Sequence, residues 1–304
     1  MAKYAINEDF LQQLETLELI LKNNVAGVFG GNHQSKSFGS SCEFADYRDY
    51  IPGDDITKID WNAYARFEHL YLKQYLDERR LHTKIYLDAS RSMDYNKSNK
   101  AVKALQVAAA FAYLSVVMMD KVSIYYIKDD YVYDLALNIA NKDQFFNNIQ
   151  KLNEIDFDGD FNFSEAILPT NVGYGDGISI VVSDFLTEND FERGIDYLIS
   201  KKRDVLCCQV LASDEMRPMF NGKIHLFDSE NALNDYRKNI NKDVLNAYRA
   251  ALSYIIDSMT DFCASRGATY LLCEEKKSIN DIFLNELIEK GVLKSWVFFI
   301  LLDY

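Results

Sequence analysis

Proline is scarce in this sequence, at 3 residues in 304, and glycine is limited to 13. A Pro-rich or Gly/Ser-rich linker chain is therefore excluded, as is a collagen-like repeat. The five cysteines, Cys42, Cys207, Cys208, Cys263 and Cys273, are odd in number and include no Cys-x-x-Cys. That argues against a disulfide framework and predicts reduced thiols. Basic side chains are also short, with 33 Lys and Arg against 46 Asp and Glu and a formal net charge of -13. A general nucleic-acid binder needs a basic surface, and so does adsorption to an anionic membrane. Only a local basic patch, such as Lys201-Lys202-Arg203, remains available. The start of the chain lacks the basic-then-apolar order of a signal peptide. The most apolar helical stretch, 104–119, reads as too short for a membrane span and is broken by Tyr113 and Ser115. These features predict a cytoplasmic protein without a transmembrane anchor. Catalytic signatures are missing too. His33, His69, His82 and His225 have no ligand spacing, and there is no Gly-x-Ser-x-Gly elbow.

What is present is material for a core: 48% hydrophobic residues, with 20 Tyr and 19 Phe. Phe10, Leu14, Leu17 and Leu21 recur at helical spacing and predict an amphipathic first helix. Residues 27–41 hold Gly, Ser and Asn and read as loop. Alternation over 69–75 predicts a strand. Apolar runs at 84–87, 122–127, 178–184 and 205–211 predict buried strands, with weaker candidates at 224–227 and 270–273. Helices are expected from about 97, over 145–152, 191–199, 242–264 and 279–287, and 296–302 could dock as a last strand or turn. Alternating strands and helices of this kind give an α/β fold, a mostly parallel sheet with helices on both faces.

The stretch 84–93 organises the rest. A buried strand ends at Asp88, and the following loop carries Ser90 and Ser92. One carboxylate and two hydroxyls at i, i+2 and i+4 are hard oxygen donors of the kind that suit Mg²⁺ or Ca²⁺. A second apolar strand ends at Asp184. In open α/β sheets, ligands bind beyond the carboxyl ends of the strands where the strand order reverses. If the two strands are neighbours there, Asp88 and Asp184 approach one site, with the loop around 158–162 as a third arm.

Upstream, 42–66 packs Glu43, Asp46, Arg48, Asp49, Asp54, Asp55, Asp60 and Arg66 among Tyr47, Tyr50 and Trp61, around a Pro52-Gly53 turn. Such a mixture predicts a folded lobe held by ion pairs, with Arg48 and Arg66 as organisers because a guanidinium grips a carboxylate bidentately. Glu43, Asp54, Asp55, Asp60 and Trp61 complete that lobe as a structural or interaction surface. The chain then divides into an N-terminal helix and lobe, 1–80, and an α/β domain with C-terminal helices, 81–304.

Asp88-x-Ser90-x-Ser92 in this alternation resembles the metal-ion-dependent adhesion site of Rossmann-like von Willebrand factor A domains. Ser37, Gly39, Glu43-Phe44, Arg48-x-Tyr50-x-Pro52-Gly53-Asp54-Asp55, Ile59-Asp60-Trp61 and Ala65-Arg66 together resemble the DUF58 family, over about residues 8 to 265. The resemblance implies first-loop ligands at Asp88, Ser90 and Ser92, and Asp184 at the fourth-strand position. Where the second loop would supply a threonine, this chain has Phe161, with Asp160 and Asn162 as the neighbouring oxygen-bearing side chains. The implied cofactor is a divalent cation, Mg²⁺ first, held less tightly than by a complete ligand set. Members of the family are often encoded beside MoxR-type AAA+ ATPases, so the implied role is an interaction or adaptor module for such an ATPase or its client. The alternatives are a metal-dependent hydrolase or phosphoesterase, and a structural scaffold with a degenerate metal site.

Overall fold

The computed structural model describes residues 5–28, 38–76, 81–94, 99–175, 177–187, 189–218, 222–227 and 235–284. The contacts divide the chain into two units, one of Met1–Val28 with Leu81–Lys294, the other built on Phe29–Arg80.

The first unit is organised by a six-stranded sheet. Its members are β3 (His82–Asp88), β4 (Lys121–Lys128), β5 (Tyr131–Ile139), β6 (Ile178–Ser183), β7 (Asp204–Leu211) and β10 (Thr269–Glu274). The order is β10-β7-β6-β3-β4-β5. All neighbours are parallel except β5, which returns antiparallel from β4 after Asp129-Asp130. Every residue of β6 is buried, and so is all of β7 after Asp204, as expected of strands covered on both faces. The chain leaves β3 toward β4 and β5, then comes back to place β6 on the other flank of β3. The strand order therefore reverses between β3 and β6.

Helix α3 (Lys100–Val117) covers one face, packing on β3, β4, β6 and β7. Ala104, Ala108, Ala109 and Ala112 are fully buried along it, and small side chains let the helix axis lie near the sheet. At 18 residues with mean hydropathy 1.4, α3 is long and apolar enough to cross a membrane by length and composition, in contrast to the expectation for 104–119. Here 83% of it is buried within the protein, which accounts for a helix apolar on nearly every side.

Helix α1 (Glu8–Val28) lies on α3 through Phe10, Leu14 and Leu17, all buried. Its buried Glu18 accepts hydrogen bonds from Tyr113 Oη (2.6 Å) and from Lys142 Nζ (2.7 Å) in α4 (Lys142–Ile149). Asn153 donates to Ile6 O and accepts from Ile6 N. The first helix thus belongs to the α/β domain and not with the lobe, so the expected division at residue 80 is corrected.

The opposite face of the sheet, with Tyr86, Val181 and Cys207, packs against α5 (Phe163–Ile167), α6 (Glu192–Ser200) and α8 (Lys242–Ser265). Gly194 allows α6 to lie on α5, because a Cβ there would come within 2.6 Å of the Phe163 ring. Cys207, Cys208, Cys263 and Cys273 are buried free thiols. Arg203 is no part of a basic patch: it is buried and donates to Ser179 Oγ and Ile178 O. A short α7 (Ser213–Met216) follows β7. A hairpin of β8 (Gly222–Phe227) and β9 (Asp235–Ile240) precedes α8, and α9 (Ile279–Asp281) follows β10. The end of the helix expected over 279–287 and the segment 296–302 lie outside the described residues.

The second unit contains β1 (Phe38–Asp49), α2 (Trp61–Phe67) and β2 (Tyr71–Leu76). β1 and β2 pair antiparallel with bulges near Phe44. A strand reaching back to Phe38 was not expected, since Gly39, Ser40 and Ser41 read as loop.

Candidate functional site

The carboxyl ends of β3 and β6 meet at the reversal point. Asp88 closes β3 and is fully buried. Its Oδ1 accepts from Ser90 N (2.8 Å), which folds the 88–92 loop back on itself, and its Oδ2 accepts from Ser183 Oγ (2.6 Å) at the end of β6. Ser90 Oγ lies 3.0 Å from Ser92 Oγ, and Ser92 Oγ donates to Asp184 Oδ2 (3.1 Å). Asp88, Ser90, Ser92 and Asp184 are therefore linked as one cluster.

Asp184 is aimed by the residue after it. Phe185 takes a left-handed backbone conformation (φ 51°), on the order of 1 kcal/mol unfavourable for an L-residue. The turn is held by Phe185 N on Ser183 Oγ and Leu186 N on Asp184 Oδ1, both 3.0 Å. It sends the Phe185 ring into the core against Phe161 and Phe191 while the Asp184 carboxylate faces the serines.

Two further side chains, Lys100 and Glu215, join the cluster. Lys100, the first residue of α3, is fully buried, and its Nζ lies 2.8 Å from Asp184 Oδ2 and 2.7 Å from Glu215 Oε1. Glu215, in α7, also accepts from Ala212 N through Oε2 (2.7 Å). Burial opposes the charged form of Lys100, but Asp184 and Glu215 outweigh it and raise its pKa. Burial raises the pKa of Glu215 against the pull of Lys100. The Asp88 carboxyl is pushed well above the usual carboxylate range, first by burial and then by the charge of Asp184, with Ser183 and Ser90 pulling the other way. A lysine at the positive end of a helix dipole is out of place unless acids meet it, and that misfit was the available signal. Nothing in the sequence pointed to Glu215.

The second loop joins by its backbone. Asp158 N donates to Ala89 O (2.9 Å), and Arg91 N donates to Gly159 O (3.0 Å). The Arg91 guanidinium grips Asp158 and holds its carboxyl below the usual range. Gly159 (φ +79°) is required, since a Cβ would stand 2.4 Å from Asp129 Oδ1. Phe161 turns into the aromatic core beside Phe163 and supplies no oxygen. Asp160 and Asn162 are tied to the β4–β5 turn: Asp160 N donates to Asp129 Oδ1, and Asn162 Nδ2 donates to Asp130 Oδ1 (2.7 Å).

The donor set fits a divalent ion in part. Among the described residues no group of three or more His, Cys, Asp or Glu is arranged to hold a metal. Yet Asp184 and Glu215 share one ammonium, that of Lys100, while the fully buried Asp88 is held by the neutral donors Ser90 N and Ser183 Oγ, and the hydroxyls of Ser90 and Ser92 stand beside Asp184. A buried excess of negative charge is relieved either by a proton or by a cation. Asp88, Ser90 and Ser92 are the residues that would hold that cation, with Asp184 shared with Lys100.

In the lobe, the expected organisers are at the surface. Arg48 Nη2 pairs with Asp54 Oδ1 at 2.8 Å, with 41% of the Arg48 side chain exposed. Arg66 and Trp61 are exposed, and Trp61 meets the Tyr64 ring edge-on. Asp54 also accepts from Ile51 N across the Pro52-Gly53 turn, and Asp55 accepts from Thr57 N. The buried acid is Asp60. It caps α2 through Asn62 N and Ala63 N, accepts from Tyr47 Oη (2.7 Å), and pairs with Lys73 (3.2 Å). The Tyr47 hydrogen bond leads the causes that hold the Asp60 carboxyl down at about 2. So small a unit has little interior, and among the described residues only one acid of the block, Asp60, is enclosed. The Glu43 side chain lies outside the described residues.

Among curated proteins, uncharacterized proteins of Mycobacterium tuberculosis and Mycobacterium bovis are 37% identical over 99 residues, which is 33% of this chain. The match spans 31% of the length of those relatives. Among solved structures, BatB from Bacteroides thetaiotaomicron aligns over 70% of this chain and 99% of its own, at 14% identity and TM-score 0.41. A von Willebrand factor type A protein from Catenulispora acidiphila aligns over 46% of this chain and 35% of its own, at 13% identity and TM-score 0.30. The profile of the protein of unknown function DUF58 matches residues 46–253, more than half of the chain, taking in both the lobe from Asp46 and the Asp88 to Asp184 cluster. The chain belongs to the DUF58 family.

Proposed function

We propose that this protein is a protein-binding module that docks its partner on the strand-end cluster of the α/β domain. The partner proposed is a MoxR-like AAA+ ATPase or a client of one, met in the cytoplasm. The observation that carries the reading is the convergence of Ser90, Ser92 and Asp184 at the reversal point of the sheet, with Ser92 partly open to solvent. That is where α/β sheets bind ligands. The ATPase itself is suggested only by the family resemblance of the 43–66 block.

A divalent ion held by Asp88, Ser90 and Ser92, with Asp184, would supply an open coordination position for a partner's carboxylate. The chain's own residues shape what surrounds that point. Arg91 and Asp158 fix the second loop against the first, and Phe185 fixes the aim of Asp184.

Catalysis is the less favoured reading. His82 Nε2 does lie 2.8 Å from Ser123 Oγ, but Ser123 is buried and already accepts from Asn138 N. Burial, with Lys84 next, brings the His82 pKa to about 4, too low for an efficient base near neutrality.

The test is direct binding of the purified MoxR-like ATPase of the same cell to the immobilised full chain, with Mg²⁺ and again with chelator. Saturable binding that weakens in chelator is expected. No binding in either condition, with metal-dependent release of phosphate from a phosphoester, would replace this reading with the hydrolase.

A further inference from the structure

Lys100 has no exposed surface, and its ammonium sits between two carboxylates at 2.8 and 2.7 Å. It occupies the first position of an 18-residue helix, where the helix dipole opposes a positive charge. Burial opposes it as well. Both penalties are met by Asp184 and Glu215. Asp184 has little left to offer: Oδ1 accepts from Leu186 N, and Oδ2 accepts from both Ser92 and Lys100. A divalent ion drawn to Asp184 must therefore displace the Lys100 ammonium or share its oxygen. Asp88 is different, because its two oxygens meet only the neutral donors Ser90 N and Ser183 Oγ among the hydrogen bonds described.

We propose that Lys100 is the resident cation of the strand-end cluster, a positioning residue that holds Asp184 and Glu215 in place and sets how tightly the cluster takes a divalent ion. The lysine does part of what the metal of a complete site would do, so the loops are arranged before any ion arrives. The ion then competes with Lys100 for Asp184 and finds its uncontested ligands in Asp88, Ser90 and Ser92. This deepens the preceding reading and rests on its choice of ligands, but it concerns ion binding and needs no partner.

Removing Lys100 removes the rival and leaves two acids without their cation. Glu215→Gln does the opposite, leaving the ammonium wholly to Asp184. The experiment is calorimetric titration of Mn²⁺ and Mg²⁺ into chelator-treated full-length protein, for wild type, Lys100→Met, Lys100→Arg and Glu215→Gln, with melting curves in parallel. Lys100→Met is expected to bind Mn²⁺ about tenfold more tightly or better, the equivalent of one decade in dissociation constant. Glu215→Gln is expected to bind more weakly than wild type, and Lys100→Arg to stay near wild type. A Lys100→Met protein that folds only when Mn²⁺ or Mg²⁺ is present supports the proposal, because the ion then replaces the ammonium. If that variant fails to fold in every condition, Glu215→Gln decides: weaker binding supports the proposal and unchanged or tighter binding overturns it. Lys100→Met that folds and binds no better than wild type overturns it. So does absence of binding in every protein. Loss of the ATPase interaction with these ion responses intact would fail the partner reading alone.

Discussion

In the strand-end cluster, Lys100 is sealed from water and holds Asp184 and Glu215; in the lobe, Arg48 holds Asp54 with 41% of its side chain in water. Each is a basic side chain paired with carboxylate at 2.7–2.8 Å. What differs is the medium. A buried charge that loses its partner stays buried and uncompensated, whereas an exposed one is taken up by water and salt. The two regions therefore respond very differently to the same kind of change. The lobe does contain one acid of the other kind, Asp60, enclosed by Tyr47, Lys73 and the start of α2.

The largest effect is expected at Lys100. Lys100→Ala without added divalent ion should lower stability by about 3–5 kcal/mol, as for one half of a buried pair. Urea unfolding followed by far-UV circular dichroism would measure it. A loss near zero would make the buried cluster behave like the surface and erase the contrast. Next comes Asp60→Ala, which takes away an N-cap, a tyrosine partner and a lysine partner together. Its effect should fall between those of Lys100 and Arg48 and be confined to the lobe, seen as new protease cleavage within 50–70. Arg48→Ala should leave the unfolding midpoint unchanged within error, the opposite of what a buried pair would give.

The contrast extends to pH. His82 has its pKa lowered to about 4, so the unfolded chain takes up a proton that the folded domain refuses. Stability from this group is present above about 6.5 and lost as pH falls from there toward 4. His82→Gln should flatten that limb of a stability–pH curve. Asp60 titrates lower, at about 2 in the folded protein. Its contribution is present above the ordinary carboxylate value and lost as pH falls through 4 toward 2. Trp61 fluorescence should report that loss in the lobe, and Asp60→Asn should abolish it.

Much of this architecture was legible in the sequence because buried strands write themselves as apolar runs. 84–87, 178–184 and 205–211 are such runs, and each is a sheet strand. β1 was hidden because Gly39, Ser40 and Ser41 carry no alternation, and β9 because Asp235–Ile240 is polar. Asp88, Ser90, Ser92 and Asp184 were legible from position alone, at the ends of two strands. Lys100 and Glu215 were not. They lie 115 residues apart, and their meeting depends on where β6 and β7 fall beside β3. In the lobe, spacing marked the charged block but could not say which member would be enclosed. The guanidinium groups, long and well hydrated at their ends, stayed outside while the short Asp60 went in.

The central claim is that the partner docks on the strand-end cluster and not on the lobe. Both present side chains that could be removed without disturbing a core: Ser92, partly open to solvent, and Trp61, 61% exposed. The deciding measurement is the affinity of the purified MoxR-like ATPase for Ser92→Ala and for Trp61→Ala, each verified to melt like the parent protein, in Mg²⁺. Ser92→Ala should weaken binding by about tenfold or more, a loss of about 1.4 kcal/mol, while Trp61→Ala binds like the parent. Undiminished binding by Ser92→Ala, with loss in Trp61→Ala, would contradict the account and move the contact to the lobe.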